Sequence, residues 1–317
     1  MATSASVFED QAAQCESRSP VYADLCLKFA QDPVAAELVG PDPDWDAPLR
    51  LLGGLHYLVL GGEATWDDPL RDHRAFLSEF MAEQGVQTNE VQRSWVLVPL
   101  LLRVAERTGA ETIDLVELGP SAGLNLVFDR YRCSYEAGAW GPENAPISLI
   151  GDERKPIPAG LLNQTLAVRG RIGIDRSPID VTTDEGARLL RSFIWAGQTA
   201  RLELLDSAID AVRGDPPELI RGDFVEQLPG VLAAQPVDGL TVVFQTAALG
   251  YVGDAGRLRV RAALEEAGAQ RLLAFVSTGR ARAGGEDWGL RLVYWPGGER
   301  EFAGHADYHG TWLRWEL

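Results

Sequence analysis

The sequence has little cysteine, little histidine and little positive charge. Its three cysteines, Cys15, Cys26 and Cys133, cannot form a paired framework, and no CxxC spacing offers a thiolate metal site. The four histidines are dispersed; only His305 and His309 stand four apart, in a Gly304–Gly310 stretch that reads as a turn, so no metal is expected. Basic residues number 29 against 46 acidic ones, giving a net charge of −17. The split is 8 to 17 up to residue 110 and 21 to 29 beyond it, so neither part carries the basic stripe that a phosphate backbone requires. Nucleic acid and anionic membrane are therefore not expected partners, and a small molecule is. The acidic excess reads as a solvated, solubilising surface. No run of about 20 apolar residues is free of charges and turn formers, so no membrane span is expected. The opening MATSASVFED carries acids where a signal peptide has a basic and then an apolar run, and a cytoplasmic location is the expectation.

What is present is the ordinary material of a globular chain: 46% hydrophobic residues, with 33 Gly and 18 Pro for turns. Up to about residue 110 the pattern is helical. Ser19-Pro20 opens a segment whose Val21, Leu25 and Phe29 follow the 3.6 period, and Pro33 ends it. The apolar run after Pro48 stops at Gly61-Gly62. A third helix is read from Thr88-Asn89-Glu90 to Gly109, with Pro99 inside it. Beyond residue 111, short β-rich runs alternate with amphipathic stretches. Strands are predicted at 112–118, 171–174, 218–221, 240–244, 271–276, 290–295 and 311–316. Helices are predicted at 122–131, 184–212, 224–234 and 255–267. The expected fold is α/β: a mostly parallel, Rossmann-like sheet (111–317) with a closing antiparallel pair, beneath an N-terminal helical cap (1–110). Residues 132–170 break the rhythm and read as an inserted hairpin and loop, in which Trp140 either covers a ligand or pins the loop.

The sharpest motif is Glu117-Leu118-Gly119-Pro120-Ser121-Ala122-Gly123-Leu124-Asn125. A strand ends in an acid, and a glycine turn then lets backbone N–H groups approach a ligand. Its Gly-x-x-x-Gly spacing is not the GxGxxG of a nicotinamide fold, and no Gly-Lys-Ser/Thr makes it a P-loop. An acid before the turn suits an ammonium-bearing ligand better than a pyrophosphate.

This motif resembles motif I of the class I S-adenosylmethionine-dependent methyltransferases. Gly173-Ile174-Asp175 and Gly222-Asp223-Phe224 are similar to the second- and third-strand motifs of that family, and Gln245 stands at the fourth-strand exit. The resemblance implies S-adenosylmethionine as cofactor, held by Glu117, Gly119, Ser121, Gly123 and Asn125. By the same resemblance Asp175 meets the ribose, Asp223 and Phe224 the adenine, and Gln245 faces the methyl donor. The interval from Glu117 to Asp175 far exceeds the roughly 20 residues of a plain βαβ unit, leaving an acid in the insert, such as Asp152, as the alternative ribose ligand. The whole chain also resembles the bacterial family DUF2332, through Ser19-Pro20-x-Tyr22, His56-Tyr57-Leu58, Gln87-Thr88-Asn89-Glu90-x-x-Arg93 and the Ser121–Asn125 turn; no reaction follows from that resemblance.

The expected function is methyl transfer to an oxygen or nitrogen of a small acceptor. His56 and Glu90 are the candidate bases, and Tyr22, Gln87, Asn89 and Arg93 the candidate acceptor contacts. Each has a plainer reading: His56 as a satisfied core histidine, Asn89 and Glu90 as helix-capping groups, Asp223 as an N-cap. Tyr251 is a further phenolic candidate. The rival class is a Rossmann-like module that binds a nucleoside without transfer. Trp95, Leu97 and Leu100 read either as packing of the cap onto the Rossmann half or as a homodimer contact.

Overall fold

A computed structural model describes residues 3–87, 89–280 and 287–317; Thr88 lies outside the described residues. The helices are α1 (Ser4–Cys15), α2 (Pro20–Phe29), α3 (Pro33–Val39), α4 (Ala47–Leu60), α5 (Arg74–Glu83), α6 (Arg93–Thr108), α7 (Asp184–Ser192), α8 (Thr199–Arg213), α9 (Phe224–Ala234) and α10 (Asp254–Gly268). The strands are β1 (Thr112–Leu118), β2 (Arg132–Tyr135), β3 (Gly138–Trp140), β4 (Ser148–Ile150), β5 (Asp152–Lys155), β6 (Ala167–Asp175), β7 (Glu218–Arg221), β8 (Leu240–Gln245), β9 (Leu273–Arg280), β10 (Trp288–Trp295), β11 (Glu299–Ala306) and β12 (Trp312–Trp315). Among the described residues, no helix is long and apolar enough to cross a membrane.

The chain forms two compact units, one of residues 1–88 with 179–206, the other of residues 89–178 with 207–317. The first is helical. Ser19 caps α2, accepting the Tyr22 N–H at 3.3 Å, and its hydroxyl donates to the Ala196 carbonyl at 2.6 Å. Asp32 caps α3 ahead of Pro33 in the same manner. Phe8, Leu25, Phe29, Leu51, Leu55 and Leu77 fill the core, and the thiols of Cys15 and Cys26 are buried with them. The helix expected over 184–212 is interrupted at 193–198, because Trp195 and Ala196 leave the helical path to pack into that core.

The second unit holds a nine-stranded sheet in the order β5-β12-β11-β10-β9-β8-β1-β6-β7. From β7 to β9 all neighbours are parallel, which in chain order is 3-2-1-4-5 of a doubly wound fold. The central strands β1 and β8 are buried on both faces, as continuous apolar runs allow. Asp114 breaks the run in β1, and Arg169 neutralises it with a two-pronged ion pair at 2.6 and 3.0 Å. Where a closing antiparallel pair was expected, a longer antiparallel meander, β9-β10-β11-β12, completes the sheet, so the architecture is mixed. The insert folds as a small sheet, β3-β2-β4, and its last strand, β5, pairs in parallel with β12 at the far edge of the large sheet.

Helix α6 belongs to this second unit. It is buried over most of its length, with Trp95, Leu97 and Leu100 all inside this unit, and only its last turn, residues 106–108, is polar and exposed. Trp95 stacks on Tyr135 of the insert, and its Nε1 donates to the Ser134 carbonyl at 2.8 Å.

Candidate functional site

A doubly wound sheet leaves a crevice where strand order reverses, outside the carboxyl ends of β1 and β8. In the second unit, that end of the sheet carries the Gly119–Gly123 turn, Gln245-Thr246 and the β6 exit at Asp175.

The glycines of the turn make room for the protein's own side chains. Gly119 and Gly123 adopt φ of +72° and +75°, and a Cβ on either would collide with Ala248 or Pro217 at 2.6 or 2.7 Å. Ser121 has φ +54°, a left-handed conformation that costs a residue with a Cβ about 1 kcal/mol. Its N–H donates to Asp175 Oδ2 at 2.9 Å, while Ser177 N–H donates to Oδ1 at 2.9 Å. Asp175 thus straps the turn to the β6 exit. Asp152, the alternative acid, stands on β5 at the opposite edge of the sheet. The α-helix expected over 122–131 is instead a kinked 3-10 segment, Leu124–Arg130, buried through Phe128, and the Tyr131 hydroxyl donates to the Leu124 carbonyl at 2.7 Å. No α-helix N-terminus therefore faces the turn.

Glu117 is 2% exposed, and its Oε2 has no hydrogen-bond partner. Burial pushes its carboxyl up to about 8, nearby Asp175 adds to the shift, and Arg93 partly opposes it. Arg93, at the start of α6, donates from Nε to the Tyr308 carbonyl at 2.8 Å and from Nη1 to Thr246 Oγ1 at 3.3 Å, and its guanidinium lies 4.2 Å from the Tyr308 ring centre. Its Nη2 is buried and unpartnered, as are Asn89 Nδ2 and Ser121 Oγ. Helix α6 begins at Arg93 rather than near residue 88, with no side-chain cap, so Asn89 and Glu90 are not capping groups but buried polar groups just before it. Arg93, Thr246, Thr278, Trp288 and Tyr308 line a cavity of about 10 Å³, the size of one water. A wider cleft of about 640 Å³ lies elsewhere, against the insert and the amino end of β6, lined in part by Arg132 and Trp140. There Trp140 stacks on Phe128 and donates to the Gln164 carbonyl at 3.0 Å, so it pins the loop.

Glu90 accepts from His309 Nδ1 at 2.9 Å. With that tautomer the carboxylate orients the ring and leaves Nε2 its lone pair, on a side chain that is 30% exposed. His309 was read from sequence only as half of a poor metal pair with His305, and the described residues hold no cluster suited to a metal. A separation of 219 positions hides its partnership with Glu90.

The remaining nucleotide-type candidates are occupied by structural work. Asp223 caps α9 through Val225 N–H at 2.8 Å, and its other oxygen accepts from Arg176 at 2.6 Å, which holds the carboxyl below its usual range. Phe224 packs in the core with Val116 and Leu118. Gln245 donates to the Thr278 carbonyl and accepts from Leu249 N–H; Asn125 accepts from Ser94 Oγ at 2.7 Å. Tyr251 is largely exposed.

The first unit brings together Tyr22 and His56, 34 positions apart, with Tyr22 Oη 3.2 Å from His56 Nδ1. The rings of Trp66 and Trp195 complete an aromatic cluster around them. Burial lowers the His56 pKa against opposing hydrogen bonds to the backbone of Ser192 and Ile194, and burial raises that of Tyr22. Gln87 is half-buried in the irregular segment after α5.

Residues 5–315 match the model of a family described as an uncharacterized protein conserved in bacteria, DUF2332, and the chain belongs to that family. No curated protein matches it.

Proposed function

We propose that this DUF2332 member is an S-adenosylmethionine-dependent methyltransferase acting on a small molecule. The observation that carries the reading is Glu117: a fully buried carboxylate with an unpartnered oxygen, at the switch point of a doubly wound sheet, beside a glycine turn. A buried unpaired carboxylate is costly unless a ligand pairs with it, and an ammonium is the complementary group. S-adenosylmethionine supplies an activated methyl group together with that ammonium. Asp175 spends two of its roughly four lone-pair positions on the amides of Ser121 and Ser177, leaving acceptors for ribose hydroxyls. Asp223 and Phe224 stay with the α9 cap and the core, and the adenine is not assigned to them. His309 Nε2, oriented by Glu90, is the base that takes a proton from the acceptor; His56 is assigned to holding Tyr22.

Calorimetry with S-adenosylmethionine, S-adenosylhomocysteine and NADH at pH 8 tests the reading. Binding of the sulfur nucleosides, weakened by about tenfold or more in Glu117→Gln, is expected. Binding of NADH alone overturns it. A non-catalytic nucleoside binder is the second reading, favoured by Gln245, which both of its hydrogen bonds commit to the protein. Transfer of labelled methyl into a metabolite extract, lost by about 100-fold in His309→Gln with donor affinity unchanged, separates enzyme from binder.

A further inference from the structure

Glu117 and Arg93 interact electrostatically, yet neither Glu117 Oε2 nor Arg93 Nη2 has a partner. Arg93 is not free to swing toward the acid. Nε is anchored on the Tyr308 carbonyl, Nη1 on the Thr246 hydroxyl, and the guanidinium face on the Tyr308 ring. Thr246 follows directly on β8, whose Phe244 is the register partner of Glu117, so the fork is fixed beside the end of β1. Four residues before Arg93, Asn89 Nδ2 is a second unpartnered donor, and both side chains are more than nine-tenths buried.

Buried donors and acceptors left open in this way are expensive. Two open donors, one of them cationic and close enough to Glu117 to act on its charge, match a ligand that carries both charges on adjacent atoms. We propose that Arg93 and Asn89 receive the α-carboxylate of an amino-acid-bearing ligand whose ammonium faces Glu117. The recess thereby reads an intact zwitterion. This inference rests on the methyl-donor reading, and it moves Arg93 and Asn89 from the acceptor to the donor. Arginine suits the task because its planar fork meets a carboxylate with directed N–H groups.

The shared chemistry is an α-amino acid, either the methionine end of a nucleoside or a free amino acid, and the test separates them. Calorimetry at pH 8 compares S-adenosylhomocysteine, its decarboxylated analogue and L-methionine on the wild-type protein, Arg93→Met and Asn89→Ala. The wild type should prefer S-adenosylhomocysteine over the decarboxylated analogue by about 10- to 100-fold, the range for charge-assisted hydrogen bonds. Arg93→Met should erase that preference, and Asn89→Ala should reduce it by about threefold to tenfold, while the decarboxylated analogue changes by no more than about twofold. Equal wild-type affinity for the two nucleosides overturns the proposal without any variant, which covers the case in which Arg93→Met does not fold. Equal weakening of both nucleosides in Arg93→Met also overturns it, since Arg93 then only holds the Tyr308 loop. Binding of L-methionine alone, sensitive to Arg93, supports the carboxylate clamp and overturns the nucleoside donor. Failure of all three ligands overturns both.

Discussion

Two buried polar clusters, one in each unit, differ in how completely they are paired. In the helical unit, Tyr22 and His56 hydrogen-bond to one another within a wall of tryptophan, and burial keeps both neutral. In the sheet unit, Asn89, Arg93, Glu117 and Ser121 each bury a polar atom with no partner. Both clusters contain residues that a sequence reading selects for chemistry. Pairing separates them: a saturated cluster stabilises and specifies its core, whereas an unsaturated one is kept at a cost that a ligand can repay.

The largest effect should come from Glu117→Gln. The wild-type carboxyl is raised from 4.5 to about 8 in the folded protein, so its contribution to stability is intact below the unfolded value and is lost as pH rises through about 8. The variant lacks this loss. Its advantage in chemical denaturation should grow between pH 5 and pH 9 to several kcal/mol, about 5 at most. A gap that stays flat with pH would place Glu117 among paired groups and erase the contrast.

His56 should show the opposite slope. Its pKa is lowered, so its contribution is intact above the unfolded value of about 6.5 and declines as pH falls through the folded one. Tyr22→Phe and His56→Leu should each cost about 1–3 kcal/mol, and the double variant less than their sum, because each single change strands the other's polar atom. Strict additivity in urea denaturation would mean the 3.2 Å contact carries no stability. The smallest expected effect is Ser121→Gly, a gain of about 1 kcal/mol from relieving the left-handed serine. Loss of stability there would show that the Ser121 hydroxyl is paired within the protein.

Much of the sheet was legible. The Thr112–Leu118 and Leu240–Gln245 runs carry enough β-branched and apolar residues to announce central strands, and the turn after Glu117 announced itself by its glycines. Strand β11 was missed because Glu299–Ala306 has no apolar alternation: three of its first four residues are charged, and its pairing depends on β10 and β12. The 3-10 segment after the turn was read as a helix because periodicity does not distinguish a full helix from a buried kinked one. The polar recess was legible only in parts. Glu117, Asn89 and Arg93 stood out by type and setting, but Thr246 and His309 meet α6 across long stretches of chain, and no local pattern encodes such contacts.

The insert adds a constraint on how this protein is made. Strand β5 finds its neighbour only in β12, so the Lys155–Glu316 ion pair that ties them joins positions 161 residues apart. During synthesis the four residues of β5 have to wait, edge exposed, until nearly the whole sheet unit has emerged. Closing so long a loop carries an entropic cost, and the outer border of the sheet depends on contacts between distant parts of the chain.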